Sequence, residues 1–464
     1  MRSSAALLRR RSTEKALFLS FLWPGVGQLY LGRRRAAVIF AVPAILLSLL
    51  LLWEARDGPE ILLARVLLIP TAALTLVVLT VLLAVWRVAS MAATFYVRPT
   101  PVATGTPRWL TTGPPAARQR RGLALFVVLA LVVIVSHGLI AWTGLAFLDA
   151  SSQIFVTGVD TPPTKIDGQV PTTPYATPVP GGRINVLVIG SDAGLGYNHS
   201  LTDSMIVVSV DPTGKSVAML SFPRDIAEFP LYSGGTFNGK LNSLVEYAAA
   251  HPNQMADGGL GALTREIGFL LGVPIHYYAY VNLAGFKSVV DLAGGVTVDN
   301  PRAISDPGYE FPDGAVGFFL SAGSHHLDGR LALAYVRSRN GVGDNDFTRA
   351  RRQQQVLIAL RDRLTDPSLL TKLPDLLKAL AATVQTDFPA DGVPDLLQLA
   401  PTIPAANIVH YVLGPPYAVN PTPPTGTYML LIVRQKIAAL SIRLFGADSA
   451  YSKPTASPTP LPSP

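Results

Sequence analysis

No cysteine occurs anywhere in the 464-residue chain, which excludes disulfides, thiolate nucleophiles and cysteine-ligated metals. The usual hydrolytic signatures are missing as well: there is no Gly-x-Ser-x-Gly elbow and no His-Glu-x-x-His pair. Charge is scarce, 15% of residues against 49% hydrophobic ones, and that balance leans away from a fully soluble protein. A net charge of +8 would suit nucleic acid, but much of the excess is arginine flanking apolar stretches, so no nucleic-acid partner is expected.

The apolar excess lies almost entirely before Ala150, in three stretches long enough to cross a bilayer: residues 36–53, 66–86 and 123–145. Arg33, Arg34 and Arg35 precede the first stretch, Arg87 and Arg98 follow the second, and Arg118, Arg120 and Arg121 precede the third. Arginine collects on the cytoplasmic side, so this pattern predicts a multi-pass protein of the cell membrane with a cytoplasmic N-terminus. Everything after Asp149 is then extracytoplasmic. Residues 16–30 are apolar but short, and Pro24, Gly25 and Gly27 interrupt them, which predicts an interfacial or re-entrant segment. No cleavage site of a signal peptide follows the third stretch, which is expected to remain as an anchor.

Residues 151–182 are rich in Thr, Pro and Gly and read as an extended linker. Globular character begins at Arg183 and is expected to reach residue 447, with 183–364 as its firm core and 448–464 as a disordered Pro/Ser/Thr tail. Residues 184–189 form a continuous apolar run ending in Gly190, the pattern of a strand buried on both faces. Further strands are expected at 205–210, 216–220 and 296–298, helices at 242–250, 260–271 and 283–292, and additional elements at 369–380, 393–400 and 428–445. A long helix is expected to start near Asp346, taken as its N-cap, with Val356, Leu357, Leu360 and Leu364 on one face. Strands mixed with helices over this length predict an α/β or three-layer domain.

The candidate site residues lie at the ends of these elements. Asp192 follows the first strand, where ligands of open α/β sheets bind, and Asp203 precedes the second; two such carboxylates can hold Mg²⁺. Arg224 and Asp225 follow the third strand, and a guanidinium suits phosphate because its planar fork donates two parallel bonds. Alternation along an expected strand at 335–339 puts Arg337 and Arg339 on one face beside Tyr335. Arg349 and Gln353 share a helix face in the first turns after Asp346, where free N–H groups favour an anion. Each has a plain alternative: an Asx-turn for Asp192, a surface ion pair for Arg224 and Asp225, a solvated edge strand for Arg337 and Arg339. Together they converge on one polyanion plus a metal. His325-His326 sits in a Gly/Ser turn and reads as an ordinary loop, and His199 carries no assignment.

In order, Asn185-Val-Leu-Val-Ile-Gly-Ser-Asp192, Thr202-Asp203-Ser204-Met205, Ser221-Phe-Pro-Arg-Asp225, Gly294-Gly295-Val296, Leu327-Asp328-Gly329, Ala334-Tyr-Val-Arg-Ser-Arg339 and Asp346-Phe-Thr-Arg349 resemble the LytR-CpsA-Psr family. The resemblance implies a three-layer α-β-α domain around a central mixed sheet, here behind a helical membrane region of three spans. It implies a phosphotransferase that moves a glycopolymer from a polyprenyl-pyrophosphate carrier onto peptidoglycan, with membrane lipid as a further partner. By that resemblance Asp192 and Asp203 hold Mg²⁺ or Mn²⁺. Arg224, Arg337, Arg339, Arg349 and Gln353 grip the pyrophosphate, and Asp225 supports the arginines. Two departures stand out: Leu201 occupies a place where the family usually has arginine, and a single anchor is commoner than several spans. A pyrophosphate hydrolase and a non-catalytic wall-binding or regulatory protein are the alternative readings.

Overall fold

A bilayer offers no water to backbone N–H and C=O groups, so an apolar segment that enters it pairs them internally as a helix. The N-terminal apolar stretches are all helical. The computed structural model describes residues 12–96, 115–156, 178–179, 181–191, 202–255, 257–364, 366–421 and 428–452. The chain divides into two units, Met1–Asp149 and Ala150–Pro464.

In the first unit, α1 (Thr13–Leu22), α2 (Val26–Tyr30), α3 (Arg34–Glu54), α4 (Pro59–Leu68) and α5 (Pro70–Tyr96) precede α6 (Pro115–Ile154), which runs on into the second unit. Among the described residues three helical segments are long and apolar enough to cross a membrane: Arg34–Glu54, Pro70–Phe95 and Arg120–Ile154. The second starts later than hydropathy alone places it. Proline disfavours helical geometry in the preceding residue, and Ile69 is extended at φ −89°, ψ 112°, separating α4 from α5. The stretch expected to be interfacial folds as α1 and α2, turned at Gly25 with φ 94°. A Cβ at Gly27 would stand 2.1 Å from the Ala16 carbonyl, so only glycine permits this approach. Gln28 secures the pair to α5 by donating from Nε2 to the Ser90 carbonyl at 2.8 Å.

The second unit begins with β1 (Ile184–Ser191), β2 (Thr202–Asp211), β3 (Ser216–Ser221), β4 (Ala227–Pro230), β5 (Thr236–Lys240), α7 (Leu244–Ala250) and α8 (Gly258–Leu271). It continues with β6 (Tyr277–Asn282), α9 (Leu283–Leu292), β7 (Val296–Asn300), β8 (Ile304–Glu310), β9 (Val316–Leu320), β10 (Gly323–Leu327), α10 (Gly329–Arg337) and α11 (Asp346–Leu364). α12 (Leu373–Ala381), β11 (Val384–Thr386), α13 (Val393–Leu399), β12 (Ile408–Val412), β13 (Ala418–Val419), β14 (Leu431–Ile432) and α14 (Arg434–Phe445) complete it.

The central sheet has six strands in the order β11-β6-β1-β2-β3-β12. It is mixed: β1 runs antiparallel to β2 and parallel to β6, and β3 runs parallel to β12. Side chains alternate across a strand, and this sorts the layers. Leu187, Ile189, Met205, Val207 and Leu220 pack into one core with Leu244 of α7, Leu263 and Ile267 of α8 and Leu440 of α14. Ser204 and Ser221, of opposite parity, meet Gln353 and Gln354 of α11 instead. Helices therefore cover both faces, as the three-layer expectation required. A second core gathers Val290 of α9, Val296, Phe318, Leu327, Tyr335 of α10 and Val356 of α11.

Two local expectations fail. Residues 335–339 are not a strand: α10 runs to Arg337, started by Asp328, whose side chain accepts from the Leu331 N–H at 2.8 Å. The N-cap and the Leu/Ala content outweigh the chance alternation of Tyr335, Arg337 and Arg339. His325 and His326 are not in a loop but on β10, paired with Val298 and Thr297 of β7. β7 carries the expected apolar alternation at Val296 and Val298, whereas β10 buries Leu327 alone and has no alternation to mark it. Of the expected linker, residues 151–156 are ordered, with Val156 N–H donating to the Thr386 carbonyl at 2.9 Å; most of its remainder lies outside the described residues. The first residues of the expected tail likewise dock, Ala450 N–H donating to the Gly272 carbonyl at 2.7 Å, and 453–464 lie outside the described residues.

Asp387, just past β11, accepts from the Tyr278 N–H at 2.7 Å, and burial pushes its carboxyl up to about 6. A raised folded-state pKa means stability that is present at low pH and lost as pH rises from the ordinary carboxylate range through about 6. Asp387→Asn should therefore match the wild type below the carboxylate range and exceed it at neutral pH by up to about 3 kcal/mol, measured by chemical unfolding at both pH values. His276, buried and pushed down to about 4, contributes in the opposite sense, so the variant's stability should climb with pH between those limits.

Candidate functional site

The start of β2, the turn after β3 and the first turns of α11 meet at one end of the sheet. The turn after β3 is set by Phe222 N–H donating to the Met205 carbonyl at 2.8 Å and Ile226 N–H donating to Pro223 at 3.2 Å. It aims Arg224 at three carboxylates. Arg224 Nη1 lies 2.6 Å from Asp203 Oδ1, and its Nε lies 3.8 Å from Asp225 Oδ2 and 3.9 Å from Asp346 Oδ2. Burial alone would lower its basicity, but the hydrogen bond and charge of Asp203, with Asp346 and Asp225, outweigh burial and raise it. Its Nε is buried without a hydrogen bond, between Asp225 and Asp346.

Arg349 is 7% exposed and places Nη2 3.1 Å from Asp346 Oδ1 and 3.4 Å from the Asp203 carbonyl. Burial lowers its pKa; Asp346 opposes this, while the positive charges of Arg224 and Arg339 reinforce it. Crowded cations repel, and an anion between them relieves the repulsion. Gln353 accepts from Ser204 Oγ at 3.0 Å and donates to the Val336 carbonyl at 3.3 Å. Thus Asp203, Arg224, Asp225, Arg349 and Gln353 come together as expected. Arg337 ends α10, and Arg339 follows it, exposed and near enough to Arg349 to act on its charge. Asp192, His199 and Leu201 lie outside the described residues.

Sequence reasoning missed three contributors. Asp346 is not the helix cap: Asn345 Oδ1 accepts from the N–H groups of Phe347 and Thr348 at 3.0 and 2.9 Å. Those two amides are thereby taken, and Asp346 is released to face Arg224 and Arg349. An Asn immediately before an Asp was the available signal, since both residues favour the cap position. Lys240, at the end of β5, sets Nζ 2.5 Å from Asp225 Oδ1, and nothing in its sequence neighbourhood marks it. Tyr428 feels the same carboxylates: burial first, then the charges of Asp225 and Asp346, raise its phenol.

Three cations (Arg224, Arg349, Lys240) thus balance three carboxylates (Asp203, Asp225, Asp346), and Arg339 leaves a positive excess. This arrangement can bind a phosphate-like anion. Among the described residues no three metal-ligating side chains cluster, and Asp203 alone offers a carboxylate from the expected metal pair. One or two carboxylates plus substrate phosphate oxygens are a usual Mg²⁺ environment, so this donor set fits a hard cation.

Fold and site define an α/β protein with a cluster of arginines and carboxylates at one end of a mixed sheet. The sequence profile of the LytR_cpsA_psr family matches residues 157–420, more than half of the chain, and the chain belongs to that family. It is 32% identical over 212 residues to the polyisoprenyl-teichoic acid–peptidoglycan teichoic acid transferase TagU of Halalkalibacterium halodurans, covering 46% of this chain and 63% of that protein. TagU of Oceanobacillus iheyensis is 33% identical over 217 residues, with 46% and 62% covered. The chain thus spans a little under two thirds of the length of these relatives. A crystal structure of TagV from B. subtilis matches at a TM-score of 0.44 and 26% identity, covering 57% of this chain and 97% of that one.

Replacing Arg224 with Met leaves Asp203, Asp225 and Asp346 facing one another. Their repulsion raises their folded-state pKa values, so stability survives at low pH and is lost as pH rises through those values. The melting temperature of Arg224→Met should fall short of wild type only slightly at about pH 4 and by several degrees at about pH 7. Millimolar Mg²⁺ should recover part of the deficit.

Proposed function

We propose that this chain is a membrane-anchored phosphotransferase that moves a glycopolymer from a polyprenyl-pyrophosphate carrier onto peptidoglycan. The observation that carries the reading is the crowding of Arg224 and Arg349, held by carboxylates, with Arg339 close enough to act on Arg349. A pyrophosphate supplies the negative charge these guanidinium groups lack, and their forks match its oxygens. The kinship with teichoic acid transferases supports the glycopolymer and the peptidoglycan acceptor.

In this reading the N-terminus is cytoplasmic, the three apolar helices hold the chain in membrane lipid, and the second unit works outside. An acceptor hydroxyl oxygen bonds to the phosphorus that bears the glycan, the bond to the bridging oxygen breaks, and polyprenyl phosphate leaves with the proton that the hydroxyl loses. Arg224, Arg349, Arg337 and Arg339 orient the pyrophosphate and stabilise charge growing on the leaving phosphate, the main contribution expected in phosphoryl transfer. Asp225 and Asp346 keep the guanidinium groups aimed, and Gln353 fixes α11 against β2. Asp203, with Asp192, would hold Mg²⁺ or Mn²⁺, which when bound neutralises phosphate oxygens.

The full-length protein, incubated with a polyprenyl-pyrophosphate oligosaccharide, peptidoglycan fragments and Mg²⁺, should attach the oligosaccharide to peptidoglycan. Free oligosaccharide phosphate would instead mean hydrolysis, and no product would mean a binding role. Arg337→Ala should lower turnover by about 100-fold or more while circular dichroism stays unchanged; undiminished turnover would contradict the arginine account.

A further inference from the structure

Between Arg337 and Arg339 lies Ser338, 1% exposed, and every hydrogen-bonding group it owns is engaged. Its N–H donates to the Ala334 carbonyl at 2.9 Å, its hydroxyl donates to Asp306 Oδ2 at 2.7 Å, and its carbonyl accepts from Arg352 Nη2. Asp306, on β8, is 1% exposed and also accepts from the Asn340 N–H at 3.4 Å. Arg352, on α11, is 6% exposed, pairs with Asp344 Oδ2 at 3.3 Å and lies over the Tyr335 ring at 5.5 Å. The loop from Ser338 to Asp344 is therefore tied to β8 on one side and to α11 on the other.

Such a network is a poor way to gain stability. Burying charges costs several kcal/mol per ion, and apolar side chains of the same volume often do as well or better. Here Arg352 Nε and Nη1 and Asp306 Oδ1 are buried without a hydrogen bond, so the cost is not fully offset. What the network does supply is a fixed place for one residue: Ser338 leaves the helix at φ −55°, ψ 134°, so Arg337 closes α10 and Arg339 opens the loop. Packing alone would not set both arginines, because Arg339 is exposed.

We propose that Asp306, Ser338 and Arg352 act as a positioning unit that presents Arg337 and Arg339 to the pyrophosphate, an inference that rests on the transferase reading of the site. None of the three needs to touch the substrate. Their effect runs through the arginines, so it should appear in anion affinity and be lost once an arginine is gone.

Affinity of the full-length, detergent-solubilised protein for inorganic pyrophosphate with Mg²⁺, measured by titration calorimetry well below each variant's melting temperature, tests this. Ser338→Ala should weaken binding by about tenfold, the worth of a hydrogen bond to a charged group. In an Arg339→Ala background the same change should add far less than it does alone. A Ser338→Ala protein that melts earlier yet binds as wild type, or effects that add in full, would overturn the proposal. The Arg339→Ala control separates the two levels: wild-type affinity there overturns the arginine grip itself, and weakened affinity beside an unaffected Ser338→Ala overturns only the positioning. If Ser338→Ala does not fold, Ser338→Cys, which keeps the volume and weakens the bond, is judged by the same results. Wild-type protein that does not bind pyrophosphate overturns both.

Discussion

The salt bridge between Arg224 and Asp203, 2.6 Å long, is the interaction on which the rest of the site depends. Through it and the flanking carboxylates Asp225 and Asp346, one guanidinium joins the start of β2, the turn after β3 and the start of α11. α11 is then held along its length: Arg349 reaches the Asp203 carbonyl, Gln353 meets Ser204, and Gln354 reaches Ser221 Oγ and the Tyr411 carbonyl. A helix pinned to a sheet by polar side chains, with apolar residues below them, keeps its cations at one place rather than letting them disperse into solvent. Surface ion pairs are worth little, but half-buried ones linked in a network are worth more, because each partner is already ordered by the next.

Much of the architecture was legible in the sequence. The apolar run at 184–189 is buried β1, and α9 has the bounds that its periodicity implies, because hydrophobic spacing is decided by the same burial that forms the element. The six-stranded order was not legible, since β11 and β12 are short, late in the chain and joined to their neighbours across long separations. β10 escaped for a related reason: of its side chains Leu327 alone is buried, so it carries no apolar alternation.

At the site, the residues that alternate or end strands were found, and those whose roles come from tertiary contact were not. Lys240 and Arg352 act through partners 15 residues and 8 residues away in sequence, and neither belongs to a readable motif. Asp346 was visible but misassigned, because a cap and an ion-pair partner call for the same residue type and Asn345 competes for the first role. The expected strand through Arg337 and Arg339 does not form; Arg337 closes a helix and Arg339 stands in a pinned loop.

The proposed function rests on one physical idea, that guanidinium groups crowded among carboxylates take up a polyanion. Hydrogen–deuterium exchange of the full-length protein, with and without inorganic pyrophosphate and Mg²⁺, tests that idea most directly. The account predicts slowed exchange concentrated at residues 202–204, 222–225 and 338–353, where the cluster's backbone lies. Unchanged exchange in those segments, or slowing confined to other parts of the chain, would contradict it.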